Sequence, residues 1–168
     1  MKYPHDWVYD NRGILTCRLR IHGQLYRAKS EVLILNEDET EVFLAFKKNG
    51  YDYKVPGGGW DKNDVDDVET VIREALEEAH IRIKDIKYVT SYTGRYTEKS
   101  RGEWIGPFVK LYVGKYDGKV DYHTAKEDED KTIKKRGQFY EIKKIYDRLS
   151  AVHQEALAPY LKDRKIRI

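Results

Sequence analysis

Residues 57–81 read GGGWDKNDVDDVETVIREALEEAHI: three glycines, then a segment in which Val65, Val68, Val71, Ile72, Ala75, Leu76 and Ala79 recur at helical spacing. That period predicts a helix over 65–79 with one apolar stripe turned to a core. Asp64, Asp66 and Asp67 crowd its start, where carboxylates suit the positive end of a helix dipole. Glu77 and Glu78 follow Glu74 by three and four positions. On an α-helix the three carboxylates therefore share one side, within an arc of roughly 100° turned away from the apolar stripe. Arg73 is their basic neighbour. Three acids so placed repel one another, and their hard oxygens suit Mg²⁺, with Mn²⁺ as a substitute. Pro56-Gly57-Gly58-Gly59 predicts a turn whose backbone comes close to a metal or a pyrophosphate where a side chain would block it. Gly58, Gly59 and the three glutamates should then surround one point.

Working outward, the flanking segments read as strands. Ile14 to Ile21 and Gln24 to Ala28 flank His22-Gly23, a hairpin signal. Glu31-Val-Leu-Ile-Leu35 and Glu41-Val-Phe-Leu-Ala-Phe46 flank the polar stretch Asn36 to Thr40, which predicts a second hairpin. Further strands are expected at Tyr53 to Val55, Ile86 to Tyr92, Phe108 to Lys115 and Phe139 to Ile145. A last helix is expected over Ala151 to Leu161, capped by Ser150 and ended or kinked by Pro159. Strands around one strong helix, with a second helix late, predict an α/β fold: a mixed sheet covered on both faces. One domain over 1–168 is expected, with Met1 to Ser30 as an N-terminal hairpin extension.

Composition narrows the function. The chain has 168 residues, 40% hydrophobic and 36% charged, and a net charge of +3 from 32 basic and 29 acidic residues. That balance does not announce a nucleic-acid binder. The basic runs 131–136 and 162–167 read as solvated faces, and the acidic run 127–130 as a charged loop. No apolar run approaches the roughly 20 residues that cross a membrane. No secretory signal is visible, and the single Cys17 forms no internal disulfide, so a cytoplasmic protein is expected. His5, His22, His123 and His153 lack ligand spacing, which argues against zinc. A P-loop is disfavoured because no Lys-Ser or Lys-Thr follows the glycines at the required spacing.

The same stretch resembles the Nudix box, G-x5-E-x7-R-E-U-x-E-E-x-G-U, where U is aliphatic. Gly59, Arg73, Glu74, Glu77, Glu78 and Ile81 match it, and Ala75 is a small version of its aliphatic position. Val65 stands where the first Glu belongs, and His80 where the last Gly would end the helix in a left-handed conformation. Val55-Pro56-Gly57-Gly58 is similar to the lead into that box, and the general layout extends from about Glu31 onward. The resemblance implies a Nudix-type α/β/α sandwich and a pyrophosphohydrolase acting on a nucleoside diphosphate linked to another group. It implies Mg²⁺ on Glu74, Glu77, Glu78 and the Gly58 carbonyl, with Arg73 orienting the glutamates and Gly57, Gly58 and Gly59 against the substrate. It further implies that Glu74, Glu78 or a later acid takes a proton; Glu98, Glu103, Glu127 and Glu129 are candidates. Asp64 or Asp66 could replace the missing Glu at Val65. Tyr92, Tyr96, Trp104 or Trp60 could stack on a base. (d)NTPs, dinucleoside polyphosphates, nucleotide sugars and capped RNA ends all stay open as substrates. The alternative is a degenerate domain that binds a nucleotide, RNA or protein without hydrolysis, and the N-terminal hairpin could support a homodimer.

Overall fold

The computed structural model describes residues 5–62, 67–95, 98–100, 102–120 and 137–161. Strands β1 (His5–Tyr9) and β2 (Leu15–Ile21) lead into β3 (Gln24–Leu35), with His22 and Gly23 both at positive φ in the β2–β3 hairpin. Such a pair matches the right-handed twist of the strands it joins. The two strands expected at 24–28 and 31–35 are one: β3 runs unbroken through Ser30, so a boundary there falls inside a strand. The second hairpin also forms. Asn36 Oδ1 accepts from the amides of Thr40 and Glu41, both at 2.9 Å, and turns the chain into β4 (Glu41–Phe46).

There follow β5 (Tyr53–Lys54), β6 (Gly57–Gly59), α1 (Asp67–Glu74), a π-helical turn (Ala75–Ala79), β7 (Ile81–Thr93), β8 (Glu98–Ser100), β9 (Glu103–Val120) and β10 (Gln138–Glu141). The chain then passes through α2 (Ile142–Ile145), a 3₁₀ turn (Tyr146–Arg148), α3 (Ala151–Leu157) and a last 3₁₀ turn (Ala158–Tyr160). Pro159 sits in that last turn, so α3 stops at Leu157, as its missing N–H requires. Ser150 caps α3 through its carbonyl, which takes the Gln154 amide, and makes no side-chain cap.

Strand β3 is the spine. It pairs antiparallel with β2, β4 and β6 and parallel with β9, which in turn carries β7 and β8 antiparallel. The sheet is therefore mixed, and its alternation decides what covers each face. Val32, Ile34, Phe43 and Tyr112 pack with Val71, Ala75 and Ala79 of the α1 segment. Leu33, Leu35, Val42, Leu44, Leu111 and Val113 pack on the other face with Ile142, Ile145, Ala156 and Leu157. Each fully buried aliphatic of this kind contributes roughly 1.5–3 kcal/mol. Helices thus cover both faces, as the sequence predicts. A third cluster, Cys17, Leu19, Ala28 and Trp60, joins the N-terminal hairpin to the sheet.

One expected strand changes type. Residues 139–145 hold only β10 before turning into α2. Ile142 and Ile145 are both buried in the same core. Three positions apart, they share a face on a helix and would oppose one another on a strand.

Candidate functional site

The glycines predicted to turn are a strand. Gly57, Gly58 and Gly59 pair with Glu31, Ser30 and Lys29, and none of the three is at positive φ. They are needed for closeness. A Cβ on Gly57 would stand 2.6 Å from the Ser30 carbonyl oxygen and 2.7 Å from Glu31 Cβ, and one on Gly58 would stand 2.5 Å from Glu74 Oε1. Gly59, the residue aligned with the box glycine, is the least crowded: its nearest neighbour would be Arg27 Nη2 at 3.5 Å.

Behind this strand the predicted helix is α-helical only to Glu74. Ala75–Ala79 widens into a π turn, closed by the His80 amide on the carbonyls of Ala75 and Leu76. An extra residue in the turn changes the bearing of Glu77 and Glu78 relative to Glu74, so the simple α-helical arc does not hold. His80 has φ 59° and ψ 30°, the left-handed conformation expected of the glycine it replaces, and its side chain is buried. Histidine accepts that conformation at a cost of about 1–2 kcal/mol.

The side chains then converge unequally. Arg73 Nη1 donates to Glu74 Oε1 at 2.9 Å and lies 3.5 Å from Glu77 Oε2, so one guanidinium bridges two glutamates. Glu78 turns to the glycine strand, where its Oε1 accepts from the Gly57 amide at 3.4 Å. Glu78 is pushed up to about 8, first by burial and then by its hydrogen bond with Glu74 and the charge of that carboxylate. A carboxyl raised by a neighbouring carboxylate, with a backbone amide beside it, belongs to a donor set that a divalent cation satisfies better. The residues present therefore fit Mg²⁺ or Mn²⁺ at Glu74 and Glu78 beside the Gly58 backbone. Glu77 is turned to Arg73, and among the described residues no three acid, histidine or cysteine side chains gather as an ion site.

Glu77, Glu78, Gly57 and Gly58 open on a cavity of about 1060 Å³ whose lining also includes Glu31, Tyr53, Tyr92 and His153. The Ser150 amide donates to Tyr53 Oη at 2.9 Å, and Tyr53 Oη meets His153 Nδ1 at 2.6 Å. His153 Nε2 lies 2.8 Å from Glu31 Oε1, which also accepts from Tyr92 Oη. With Tyr53 donating to Nδ1, the imidazole proton sits on Nε2 and points at Glu31, a tautomer assigned from this network. Burial, and then the charge of Glu31, push the Tyr92 phenol far above its ordinary range, so it stays a donor. Lys29, Lys47, Lys54 and Arg148 line the same cavity. Burial pulls Lys29 below the ordinary lysine value.

Sequence reasoning missed Glu31 and set His153 aside. Glu31 carried one signal: it is a charge opening an apolar run, with Leu33 on the same face buried in the core. The expected aromatics divide. Tyr92 reaches the cavity; Trp60 does not, being buried with its indole N–H on Ser30 Oγ at 2.7 Å. Trp104 is exposed under the Lys99 ammonium. Of the later acids, Glu103 pairs with Arg20 at 3.3 Å and is not in the cavity lining, while Glu98 opposes Ile105 on β9. Asp64, Val65, Asp66, Tyr96, His123, Glu127, Glu129 and the two basic runs lie outside the described residues. The acid observed at the start of α1 is Asp67, bound by Lys110 Nζ at 2.6 Å and Tyr112 Oη at 2.5 Å. It anchors the helix to β9.

Among the described residues no helix is long and apolar enough to cross a membrane. The family model described as NUDIX domain matches residues 25–160. A solved MutT structure, described with the fish pathogen Aliivibrio salmonicida and the mesophile Vibrio cholerae, is 14% identical, with a TM-score of 0.53 over 80% of this chain and 95% of that one. A NUDIX hydrolase from Nitrosomonas europaea is 16% identical, with a TM-score of 0.53 over 82% of this chain and 89% of that one. A search of curated proteins finds no match. With a mixed sheet shared with these neighbours, a glycine strand laid over the glutamate helix, and the domain matched over 25–160, the chain belongs to the Nudix family and is a Nudix-type hydrolase.

Proposed function

We propose that this hydrolase is a metal-dependent pyrophosphohydrolase cleaving the diphosphate linkage of a nucleoside diphosphate joined to another group. One observation carries the reading: Glu78 accepts from the Gly57 amide and Glu74 lies against Gly58, beside a cavity lined by four basic side chains. Mg²⁺, with Mn²⁺ as a substitute, would be held by Glu74, Glu78 and the Gly58 carbonyl, with Glu77 the third carboxylate. When bound, the ion neutralises the diphosphate and acidifies a water. Arg73 keeps Glu74 and Glu77 oriented through charge-assisted hydrogen bonds. Glu74 or Glu78 takes the attacking water's proton at a carboxylate oxygen. Lys29, Lys47, Lys54 and Arg148 supply positive charge to the phosphate oxygens, and the glycine strand leaves room for them. A nucleotide substrate and a lone thiol suit a cytoplasmic enzyme.

The test is release of phosphate and nucleotide from a panel of nucleotide diphosphate compounds, with Mg²⁺ and with Mn²⁺. Native protein should turn over one compound class, and Glu77→Gln and Glu78→Gln should lower that rate by orders of magnitude. A second reading, binding without hydrolysis, draws on the pairing of Glu77 with Arg73 in place of a three-carboxylate cluster. It predicts nucleotide binding with no turnover at any concentration of either metal.

A further inference from the structure

We propose that Glu31 is the specificity-determining residue of the cavity: an acceptor held in one orientation for an N–H or O–H donor on the nucleoside half of the substrate. This rests on the nucleotide reading above. The cavity reaches from Glu77 and Glu78 to a wall that the hydrolytic chemistry leaves unused. On that wall a charged side chain, 18% exposed, is fixed between two donors.

Both donors meet the same oxygen. Tyr92 Oη and His153 Nε2 converge on Glu31 Oε1. Oε2 takes no hydrogen bond among the described residues, yet it is not among the buried atoms that lack one. It is the open oxygen of a residue that lines the cavity. The relay behind it is anchored on backbone, through the Ser150 amide, Tyr53 and His153. Below, Glu31 Cβ packs against the Gly57 backbone so closely that an added methyl would stand 2.7 Å away. A carboxylate fixed this way loses little freedom on binding and offers one open oxygen to a donor. His153, Tyr53 and Tyr92 act through Glu31 and are positioning residues.

Of the donors a nucleoside carries, Glu31 is assigned the exocyclic amino group of a purine or the ribose 2′-hydroxyl. A buried acceptor rejects an analogue that lacks the donor, because the acceptor is then left desolvated and unmatched. The same network sets what Glu31→Gln does. Two donors on the Oε1 position hold the amide oxygen there, so the NH₂ takes the place of Oε2. The variant converts an acceptor into a donor and keeps its size.

The experiment measures kcat/KM, and binding by calorimetry, for three pairs: GTP and ITP, ATP and purine riboside triphosphate, and ATP and dATP. Each pair differs by one donor, so the arms separate a base amino group from the 2′-hydroxyl. Native protein should favour the donor-bearing member of at least one pair by about ten- to a hundredfold. Glu31→Gln should abolish or invert that preference, and Tyr92→Phe should weaken it. Each result is a ratio within one protein preparation, so partial loss of folded protein cancels. Native discrimination that survives Glu31→Gln overturns the proposal, as does native turnover with no preference in any pair. A uniform fall in all rates at constant ratio also overturns it, and would make Glu31 part of the hydrolytic machinery. Neither binding nor turnover of any nucleotide by native protein overturns the nucleotide reading, and this inference with it.

Discussion

Glu74 Oε1 occupies the space that a side chain on Gly58 would need: a Cβ there would stand 2.5 Å from that oxygen and 2.8 Å from Glu74 Cδ. The same oxygen is the one held by Arg73. Gly58→Ala should therefore displace the carboxylate instead of the strand. We expect turnover to fall about a hundredfold, the scale of a misplacement near 1 Å, with stability lowered by about 1–3 kcal/mol. Activity and a urea melt on one preparation check this. Native turnover in Gly58→Ala would remove Glu74 from the site.

Gly59→Ala is the contrasting case. Although Gly59 aligns with the box glycine, its backbone φ is ordinary and a Cβ would meet Arg27 at 3.5 Å, normal contact. We expect stability within about 0.5 kcal/mol of native and turnover within a fewfold. A loss as large as that of Gly58→Ala would mean the glycine serves something other than space.

Glu78 predicts a pH dependence. Its carboxyl is raised to about 8 in the folded protein, from an ordinary value of 4.5. Between those two the unfolded chain is ionised while the folded one keeps its proton. Metal-free stability should then fall as pH rises through that window, by an amount that solvent screening of this exposed side chain reduces. Glu78→Gln should flatten the slope and be the more stable protein at pH 8 in chelator. Adding Mg²⁺ should restore native stability most strongly at the high-pH end, since the ion replaces the proton. Urea melts at pH 5, 6.5 and 8 are decisive; parallel slopes for the two proteins would refute the coupling.

Asp67 shifts the other way. Burial would raise its carboxyl, but the hydrogen bonds from Lys110 and Tyr112 outweigh it and hold the group below its ordinary 3.8. Its contribution is complete above that value and fades only as acid drives the pH below it. With its side chain 20% and that of Lys110 33% exposed, solvent screens the pair. Asp67→Asn should cost about 1–2 kcal/mol at pH 7. Double-mutant cycles with Lys110→Met and Tyr112→Phe test it, and zero coupling in both would mean that Asp67 does not anchor the helix.

The periodic segments were legible because burial alternates along them: residues 31–35 and 41–46 alternate between the two helical layers, as their apolar runs imply. Arg73 beside Glu77 was legible too, since four positions along a helix bring side chains together; its bond to the adjacent Glu74 was not. What escaped depended on tertiary contact. Nothing local tells a glycine strand from a glycine turn; Gly57–Gly59 is a strand because it pairs with Lys29, Ser30 and Glu31 of β3, a pairing so close at Gly57 that no side chain fits. The π turn at Ala75–Ala79 follows no local pattern. Ile142 and Ile145 read as strand by propensity, and the core overrode it. Glu31 and His153, distant in sequence, meet only because α3 crosses β3.

The parallel pairing of β3 with β9 runs from Tyr26↔Gly106 to Leu35↔Lys115, so its partners are joined by about eighty residues of chain. Closing a loop of that length costs entropy before any contact repays it, which places this protein among slow folders for its size. The glycine strand leans on the same β3, so the proposed site shares its spine with that long-range register. A nascent chain can hold every residue of the glutamate helix and still lack an enzyme until β9 has been made and docked.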